Sequence, residues 1–397
     1  MRVAFLSAQA SFLDAIGRTQ SQLARTQEQV GTGLKFSRAG QDPAGATLSL
    51  SMDGLLATYE RYGRNAVLAG NRLGLEESAL TGAGEVLQRV RELVLQAANG
   101  PQGVENRRLI AAEVRARLDE LVATANTRDG NGEYLFAGTA TRTQPFVRSG
   151  GAVAYQGDQQ QRLIQVAPDQ FVADGDSGAA VFELIRNGNG RFVVEPAAGN
   201  AGTGRLGAYT VADPAQYDGG SYTLVFTAAD AWEARDATNA VVASGSYAPG
   251  EAIRFRGMAI DLQGAPAAGD GFDVEPSANQ SLFVTLERLV AALERPEGTP
   301  ADQAALSNEL SRALVDLDQG LGRLLEVRAD IGARLSALEA RQSQLADAGV
   351  ELKGALSGLR DTDFAEALTR LEQQLLALQA AQKSFARTQG LSLFDYL

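Results

Sequence analysis

The fold of this chain is decided by residues 310–359, LSRALVDLDQGLGRLLEVRADIGARLSALEARQSQLADAGVELKGALSGL, in which apolar residues return at alternating intervals of four and three. The register contains Leu310, Leu314, Leu317, Leu321, Leu324, Ile331, Leu335, Leu338, Leu345, Leu352, Leu356 and Leu359. Only Arg328, Gln342 and Gly349 interrupt it. Such a stripe predicts a long helix that buries one seam against partner helices in a coiled-coil manner.

Amphipathic helices are also predicted at both ends of the chain. The first carries Phe5, Phe12, Ile16, Leu23 and Val30 and is expected to stop at the glycines of residues 31–33, since glycine weakens a helix. Two more helices are expected over about 44–99 and 103–127, and another follows Pro276. The last begins after Asp363, a candidate N-cap, and its stripe is Phe364, Leu368, Leu371, Leu375, Leu378 and Phe385.

The middle of the chain has a different pattern, typical of β-structure. Short runs rich in Val, Ile, Phe and Tyr alternate with Gly, Asp, Asn and Pro: AVAYQG, RLIQVAP, RFVVEP, SYTLVFTA, AIRFRGMAIDLQG and GFDVEP. Residues 134–136, Tyr-Leu-Phe, form another short strand candidate behind two turn dipeptides. The predicted class is therefore α+β: a long helical coiled-coil bundle made by the N- and C-terminal segments, with a central, mostly β inserted domain.

This pattern predicts three domains. Residues 1–40 with 360–397 form an inner assembly domain of terminal helices, residues 41–146 with 277–359 form a helical bundle, and residues 147–276 form an outer β-rich insert.

Composition excludes several classes of function. The chain has 397 residues, a net charge of −12, no cysteine and no histidine. The negative charge argues against broad nucleic-acid binding, and the missing residue types remove thiolate ligands, the usual general base and the Ser-His-Asp triad. The acidic segment ADGDSG, residues 173–178, lacks the remaining ligands of a calcium loop. We therefore expect no enzyme, no cofactor and no metal site.

Membrane insertion is not expected either. The sequence has no run of 18 or more apolar residues, and the apolar run of residues 3–6 is too short for the core of a secretory signal.

A glycine-rich stretch, QVGTGLKFSRAGQDPAG at residues 29–45, raises the alternative of a phosphate-binding loop. A Walker loop needs a Gly-Lys pair followed by Ser or Thr, whereas here Leu34 separates Gly33 from Lys35. The stretch is therefore interpreted as a connector between helices.

The terminal helices carry more apolar surface than two helices can cover. A helix pair buries one seam and leaves both flanks in water, and each exposed large apolar side chain forfeits roughly 1.5–3 kcal/mol of burial. We therefore expect other subunits to cover these flanks. The candidate assembly residues are Phe5, Phe12, Ile16, Leu23, Leu368, Leu371, Leu375, Leu378, Phe385, Leu393 and Phe394.

Several of these segments resemble the bacterial flagellin superfamily. Residues 29–49 resemble its stretch after the first helix, with Gln41 where the family often has an acid. Within the superfamily, the segments DGNGEYLFAGTATRTQPF (129–146), residues 254–286 and the ending LSLFDYL resemble the proteins of the hook–filament junction more than flagellin itself. The resemblance covers roughly 60% of the chain, and about 150–250 lies outside it.

The resemblance implies a structural subunit of the flagellum that is exported unfolded and secreted to the cell exterior. The implied partners are further copies of the chain in a ring, a neighbouring hook-associated protein, flagellin and a cytoplasmic export chaperone. Lys35 and Arg38 are then interpreted as subunit contacts of the connector, with solvated charges as the alternative.

Three alternatives stay open to test. Flagellin itself is the main one. A glycan-binding adhesin built on the β insert is another. A flagellum-borne enzyme is the third, although the zinc protease insert of some flagellins needs two histidines that this sequence lacks.

Overall fold

The computed structural model describes residues 2–99, 103–296 and 298–390; the side chains of residues 2–6, 8, 9 and 388–390 are not among the described features. The chain divides into two compact units. The first comprises Met1–Arg64 with Ala340–Leu397, and the second comprises Asn65–Glu339. We call them the terminal unit and the central unit.

Helices occupy both ends of the described chain, as the sequence predicts. They are α1 (Arg2–Thr32), α2 (Pro43–Ala98), α3 (Val104–Ala125), α4 (Leu282–Leu293), α5 (Pro300–Arg360) and α6 (Phe364–Gly390). The predicted helix boundaries lie within a few residues of these, and Asp363 is the N-cap expected for α6, since its Oδ1 accepts from the backbone N–H of Ala365 at 2.9 Å.

The strands lie between the helical segments. They are β1 (Phe146–Ser149), β2 (Ala152–Tyr155), β3 (Leu163–Ala167), β4 (Gln170–Ala173), β5 (Ile185–Arg186), β6 (Phe192–Pro196), β7 (Arg205–Val211), β8 (Tyr222–Ala228), β9 (Ala231–Asp236), β10 (Val241–Ser246), β11 (Ala252–Phe255), β12 (Met258–Gln263), β13 (Gly271–Pro276) and β14 (Asn279–Gln280). This arrangement confirms the predicted α+β class.

The helical core of the central unit contains the stripe that the sequence predicts on α5. Leu310, Leu317, Leu324, Ile331 and Leu338 are buried there in one cluster with apolar residues of α2, α3 and α4. At the predicted interruption, the Arg328 guanidinium leaves the stripe and pairs with the Glu77 carboxylate at 2.7 Å. The periodicity therefore marks a true core seam. Over residues 304–317 the other faces of α5 are covered as well, since none of these residues is exposed and Val315 packs against the β-sheet core.

A second core lies between two antiparallel sheets of the same unit. One sheet has the strand order β10-β9-β8-β13-β6, and the other has the order β11-β12-β7. Their inner faces bury aromatic residues, including Trp232, Phe226 and Phe272. Strands β1 and β2, β3 and β4, and β5 and β14 form separate two-stranded pairs.

The prediction of a strand at residues 134–136 is wrong. The Tyr134 N–H donates to the Thr141 carbonyl, the Leu135 N–H donates to the Thr127 carbonyl, and the Phe136 carbonyl accepts from Gly178. Because these partners lie on three different segments, no ladder can form, although all three side chains are buried.

A search of the described helices for a segment both long and apolar enough to cross a bilayer finds none.

Candidate assembly surface of the terminal helices

Helices α1 and α6 of the terminal unit pack along one seam. The rings of Phe12 and Phe385 stack with centroids 5.5 Å apart and planes at 16°. On α1, the less exposed positions within residues 10–27 are Phe12, Ile16, Thr19, Leu23 and Thr26. This alternating spacing is the one expected of a two-helix seam, and the threonines make it partly polar.

The seam on α6 is displaced from the stripe that the sequence suggests. Its less exposed positions are Ala367, Leu371, Gln374, Leu378, Ala381 and Phe385. Three of these positions, Leu371, Leu378 and Phe385, belong to the predicted stripe. Two other predicted positions lie off the seam, since Leu368 is 47% exposed and Leu375 is 39% exposed. The small side chains of Ala367 and Ala381 permit close approach to α1, so the bulkier leucines are left on the flank.

The flank belongs to a wider set of uncovered apolar side chains in the terminal unit, which we call the terminal apolar surface. Its members are Leu13, Leu48, Leu50, Leu55, Val350, Phe364, Leu368, Leu375 and Leu376, each at least 39% exposed. Exposed apolar residues in such numbers mark an interaction site when they cluster on a soluble protein. Covering one half-exposed leucine contributes roughly 1 kcal/mol.

The remaining candidates on the sequence lie where side chains are not described. Phe5 falls within α1, but its side chain is outside the described features, and Leu393 and Phe394 lie outside the described residues altogether. Their role in assembly stays a prediction.

The connector after α1 is tied to the loop between α5 and α6. Helix α1 ends at Thr32, and Gly33 adopts φ +72°, the left-handed conformation that glycine accepts without strain. The Gly33 carbonyl accepts from Thr362 at 2.8 Å, and the Lys35 N–H donates to the Arg360 carbonyl at 2.7 Å. The two ends of the chain are therefore joined by backbone hydrogen bonds at the base of the α1–α6 pair.

Side chains complete this connection. The Lys35 ammonium donates to the Gly358 carbonyl, so part of its hydrogen-bonding capacity is used within the chain. The Glu28 carboxylate accepts from the Ser37 hydroxyl at 2.5 Å and from Gln41 Nε2 at 3.1 Å. The Ser37 hydrogen bond is the main reason that the pKa of Glu28 is lowered.

Arg38 is the more available cation of the connector. Its side chain is exposed, and among the described residues no side-chain hydrogen bond or ion pair of its guanidinium is found. The structure therefore separates the two predicted contact residues: Lys35 stabilises the connector, whereas Arg38 is open to a neighbour.

The acidic segment of residues 173–178 lies in the central unit and forms ion pairs with arginines. Asp174 pairs with Arg162 at 2.5 Å, and Asp176 pairs with Arg334 at 2.6 Å. Within the described part of the chain, no group of three or more acidic, His or Cys side chains is arranged to hold a metal ion.

Beside these pairs lies Glu76, a buried acid that the sequence pattern does not reveal. Its Oε1 accepts from the Asp176 N–H at 3.1 Å, while its Oε2 has no hydrogen-bond partner in the described structure. Burial, helped by the nearby Asp176 charge, raises the pKa of Glu76 to about 8. Glu76 is therefore neutral in the folded chain over a wide range of pH.

Comparison with known families gives two matches. The family described as "Bacterial flagellin N-terminal helical region" matches residues 3–141, and "Bacterial flagellin C-terminal helical region" matches residues 314–397. These two stretches include all but the first residue of α1, all of α2, α3 and α6, and most of α5.

Individual relatives extend the likeness to the centre of the chain. The crystal structure of FlgL from Xanthomonas campestris is 42% identical, covers 77% of this chain and 99% of its own, and has a TM-score of 0.73. The flagellar junction protein FlgL from Legionella pneumophila is 33% identical over 72% of this chain and 98% of its own, with a TM-score of 0.68. Flagellar hook-associated protein 3 of Salmonella typhimurium is 25% identical over 96% of this chain and 95% of its own length.

Flagellins match a smaller part of the chain. Several bacterial flagellins and filament core proteins are 28–33% identical to it, but over only 29–35% of its length.

Proposed function

The chain belongs to the family of flagellar hook-associated protein 3, also called FlgL, and from this membership we propose that it is a structural subunit of the bacterial flagellum at the junction of hook and filament. The near-complete match to hook-associated protein 3 supports this proposal over flagellin, whose matches stop at about a third of the chain. We propose no catalytic role, since the relatives are structural flagellar proteins.

The terminal apolar surface supplies the physical basis for assembly. The α1–α6 seam holds the two helices together, while Leu368 and Leu375 on its flank, and Leu376 on the face of α6 opposite the seam, are free to pack against neighbours. In the proposal, further copies of the chain cover this flank within a ring. A hook-associated protein lies on one side of the ring, and flagellin lies on the other.

The three predicted domains enter the proposal as three roles. Residues 1–40 with 360–397 assemble, residues 41–146 with 277–359 form the supporting bundle, and residues 147–276 form the outer insert. The α5 stripe is evidence for the role of the helical bundle as a support, since its residues from Leu310 to Leu338 are buried in, or packed against, the core of the central unit.

The proposal also includes the route to the site. The chain leaves the cell unfolded, escorted by a cytoplasmic chaperone, and folds at the cell exterior. The absence of cysteine is compatible with this route, because no disulfide has to form after export.

The proposal is tested by deleting the gene from the source bacterium and restoring it in trans. We expect the deletion to leave hooks without filaments and to release flagellin monomers into the medium, since filament subunits then lack a base on which to polymerise. The restored wild-type chain recovers filaments and motility. Filaments of normal length on the deletion strain contradict the proposal.

The flagellin alternative predicts different outcomes for two measurements. Loss of the filament subunit itself leaves no other flagellin to accumulate in the medium. In addition, purified flagellin polymerises into long filaments, whereas a junction protein forms at most short assemblies. Long filaments of the purified chain therefore favour the alternative.

A further inference from the structure

The central unit contains a cavity of about 480 Å³ at one end of its helical bundle. Its wall is formed by the end of α2, the start of α3, the segment after α4 and the start of α5. The first residue of β7, Arg205, also lines it. The volume is within the range of small-molecule sites.

Three arginines line this cavity in a chain that is otherwise strongly acidic. They are Arg107, Arg205 and Arg295. Arg107 is only 7% exposed, and no side-chain hydrogen bond or ion pair joins any of the three guanidinium groups to another described residue. No nitrogen of Arg107 is among the described buried polar atoms that lack a partner, so its guanidinium remains accessible from the cavity. An anion there can accept charge-assisted hydrogen bonds from it.

The Asp302 carboxylate at the cavity caps α5 and also interacts with one of the arginines. The Thr299 hydrogen bonds are the main reason that the pKa of Asp302 is lowered, and the nearby Arg295 charge lowers it further. Asp302 Oδ2 accepts from the Thr299 N–H at 2.7 Å and from the Thr299 hydroxyl at 2.8 Å, which caps the start of α5. Its bonding capacity is thereby used locally. Among the described lining residues, positive charge exceeds negative charge by three to one.

The start of α3 adds a further attraction for anions. Gly103 is the N-cap residue and lines the cavity, and it has no side chain with which to cap the helix. The first N–H groups of a helix carry a partial positive charge and bind anions when they are not capped. The partnerless Arg107 lies one turn further along the same helix.

Arg205 is held at the cavity by contacts on both sides of it. Asn308 Oδ1 accepts from the Leu206 N–H at 2.7 Å, and Asn308 Nδ2 donates to the Gly204 carbonyl at 3.1 Å. Asn308 is buried on α5, so it fixes the backbone of β7 to that helix. This β7–α5 part of the cavity wall is therefore fixed by hydrogen bonds before any ligand binds, which lowers the entropic cost of binding.

We propose that this cavity is a binding site for a small anion of the phosphate class, such as phosphate, pyrophosphate or a phosphate ester. Guanidinium groups match phosphate oxygens in geometry and charge. The concave wall and the low exposure of Arg107 favour a compact anion over an acidic protein surface, which could not reach that side chain.

The test is calorimetric titration of the purified full-length chain with pyrophosphate and with inorganic phosphate, at constant ionic strength set by chloride. We expect saturable binding of one anion per chain. The double variant R205S/R295S removes two exposed guanidinium groups without opening the core, and we expect it to weaken binding by roughly tenfold or more.

The matched control is R108Q, because Arg108 is exposed on α3 next to Arg107 but does not line the cavity. R108Q removes one positive charge, as each of the two substitutions in R205S/R295S does, and it should leave the affinity for the anion unchanged. R107Q is measured in parallel, with its circular dichroism and melting temperature recorded to identify a folding defect.

The proposal is overturned if the wild-type chain binds neither anion beyond the chloride background. Equal affinities of wild type and R205S/R295S also overturn it, as does an equal loss in R108Q, which indicates diffuse charge attraction. Binding of an acidic peptide without binding of either small anion contradicts the ligand class. None of these outcomes depends on whether the chain acts at the hook–filament junction.

Discussion

At the residue scale, the most consequential side chain in the central unit is Glu76, because it is buried between charges of both signs. Burial, and after it the Asp176 charge, raises the pKa of Glu76. Arg334 and Arg72 lower the pKa by a smaller amount. The folded chain therefore retains the Glu76 proton up to about pH 8, although the ordinary pKa of a glutamate is 4.5.

This retention makes stability depend on pH. Between pH 4.5 and about 8 the unfolded chain releases the proton and the folded chain keeps it. Stability is then greatest at the acidic end of that window and falls by up to about 1.4 kcal/mol per pH unit as pH rises, levelling off above the folded pKa. Urea unfolding of the wild type at several pH values across the window measures this slope.

Glu76→Gln keeps an acceptor for the Asp176 N–H and has no proton to lose. We expect it to remove much of the slope and to stabilise the chain by a few kcal/mol at the alkaline end. Glu77→Gln is the control, since Glu77 is half-exposed and pairs with Arg328 instead. An unchanged slope in Glu76→Gln contradicts the assignment.

Backbone conformation matters most at Gly257, which turns the chain between β11 and β12. Arg256 and Gly257 both have positive φ, 46° and 74°, as a two-residue hairpin of type I′ requires. A Cβ on Gly257 would lie 2.3 Å from the Asp213 carbonyl oxygen and 2.7 Å from the Tyr217 nitrogen. Both neighbours are backbone atoms and cannot rotate away.

Gly257→Ala is therefore expected to destabilise the chain by about 3 kcal/mol or more, through steric overlap added to left-handed strain. Gly132→Ala is the matched control, because Gly132 has φ +80° but no atom within 4 Å of the added carbon. It should cost only about 1 kcal/mol. Thermal denaturation measures the stability of both variants. Equal decreases in the melting temperature of Gly257→Ala and Gly132→Ala would show that the steric overlap has no effect.

At the element scale, α6 separates residues that hold the monomer together from residues that face outward. Leu378 lies on the seam with α1, whereas Leu368 and Leu375 lie on the flank. Substitution of the two kinds of position should therefore affect different properties.

For the flank, L368S/L375S is expected to lower the free energy of unfolding of the isolated chain by only about 1–2 kcal/mol, since both side chains are partly exposed and serine is the weaker helix former. The same variant should fail to retain filaments in the complemented deletion strain, since neighbours lose apolar contact. For the seam, L378A should lower amide-exchange protection in α1 and α6 of the isolated chain. The free energy of local unfolding should fall by roughly 1–2 kcal/mol, as expected for truncation of a partly buried leucine. Normal motility of L368S/L375S would mean that the flank is not an assembly contact.

The contrast between α5 and α6 explains how far the sequence could predict the fold. The α5 stripe was predicted well, because as far as Leu338 the bundle surrounds one face of leucines. The later leucines of the stripe, Leu345, Leu352, Leu356 and Leu359, are partly buried. On α6, three positions of the predicted stripe lie on the seam and three do not, since alanine and glutamine occupy the seam. The three misplaced positions are Phe364, Leu368 and Leu375. Apolar periodicity identifies apolar faces, but not which of two adjacent faces a single partner covers.

The β region shows a second limit of prediction. The run AIRFRGMAIDLQG was expected as strand, and the structure divides it at Arg256–Gly257 into β11 and β12. Strands β7, β9 and β10 were not predicted, because alanine, glycine and serine dilute their apolar pattern. The arginine cavity could not be predicted either, since Arg107, Arg205 and Arg295 meet only in the folded chain.

At the scale of the whole molecule, the two ends of the sequence function as one element. Backbone hydrogen bonds at Gly33 and Lys35 join the connector after α1 to the loop before α6. The terminal unit thus presents a paired-helix surface whose seam is closed and whose flank is not. We expect neighbours in the flagellum to cover this flank.

Cryo-electron microscopy of intact hook–filament junctions from the source bacterium measures whether the flank is covered. We expect density for this chain in a ring between hook and filament, with Leu368 and Leu375 buried against adjacent subunits. Density for the chain repeated along the filament, or a junction in which these two leucines stay in contact with solvent, would contradict this expectation.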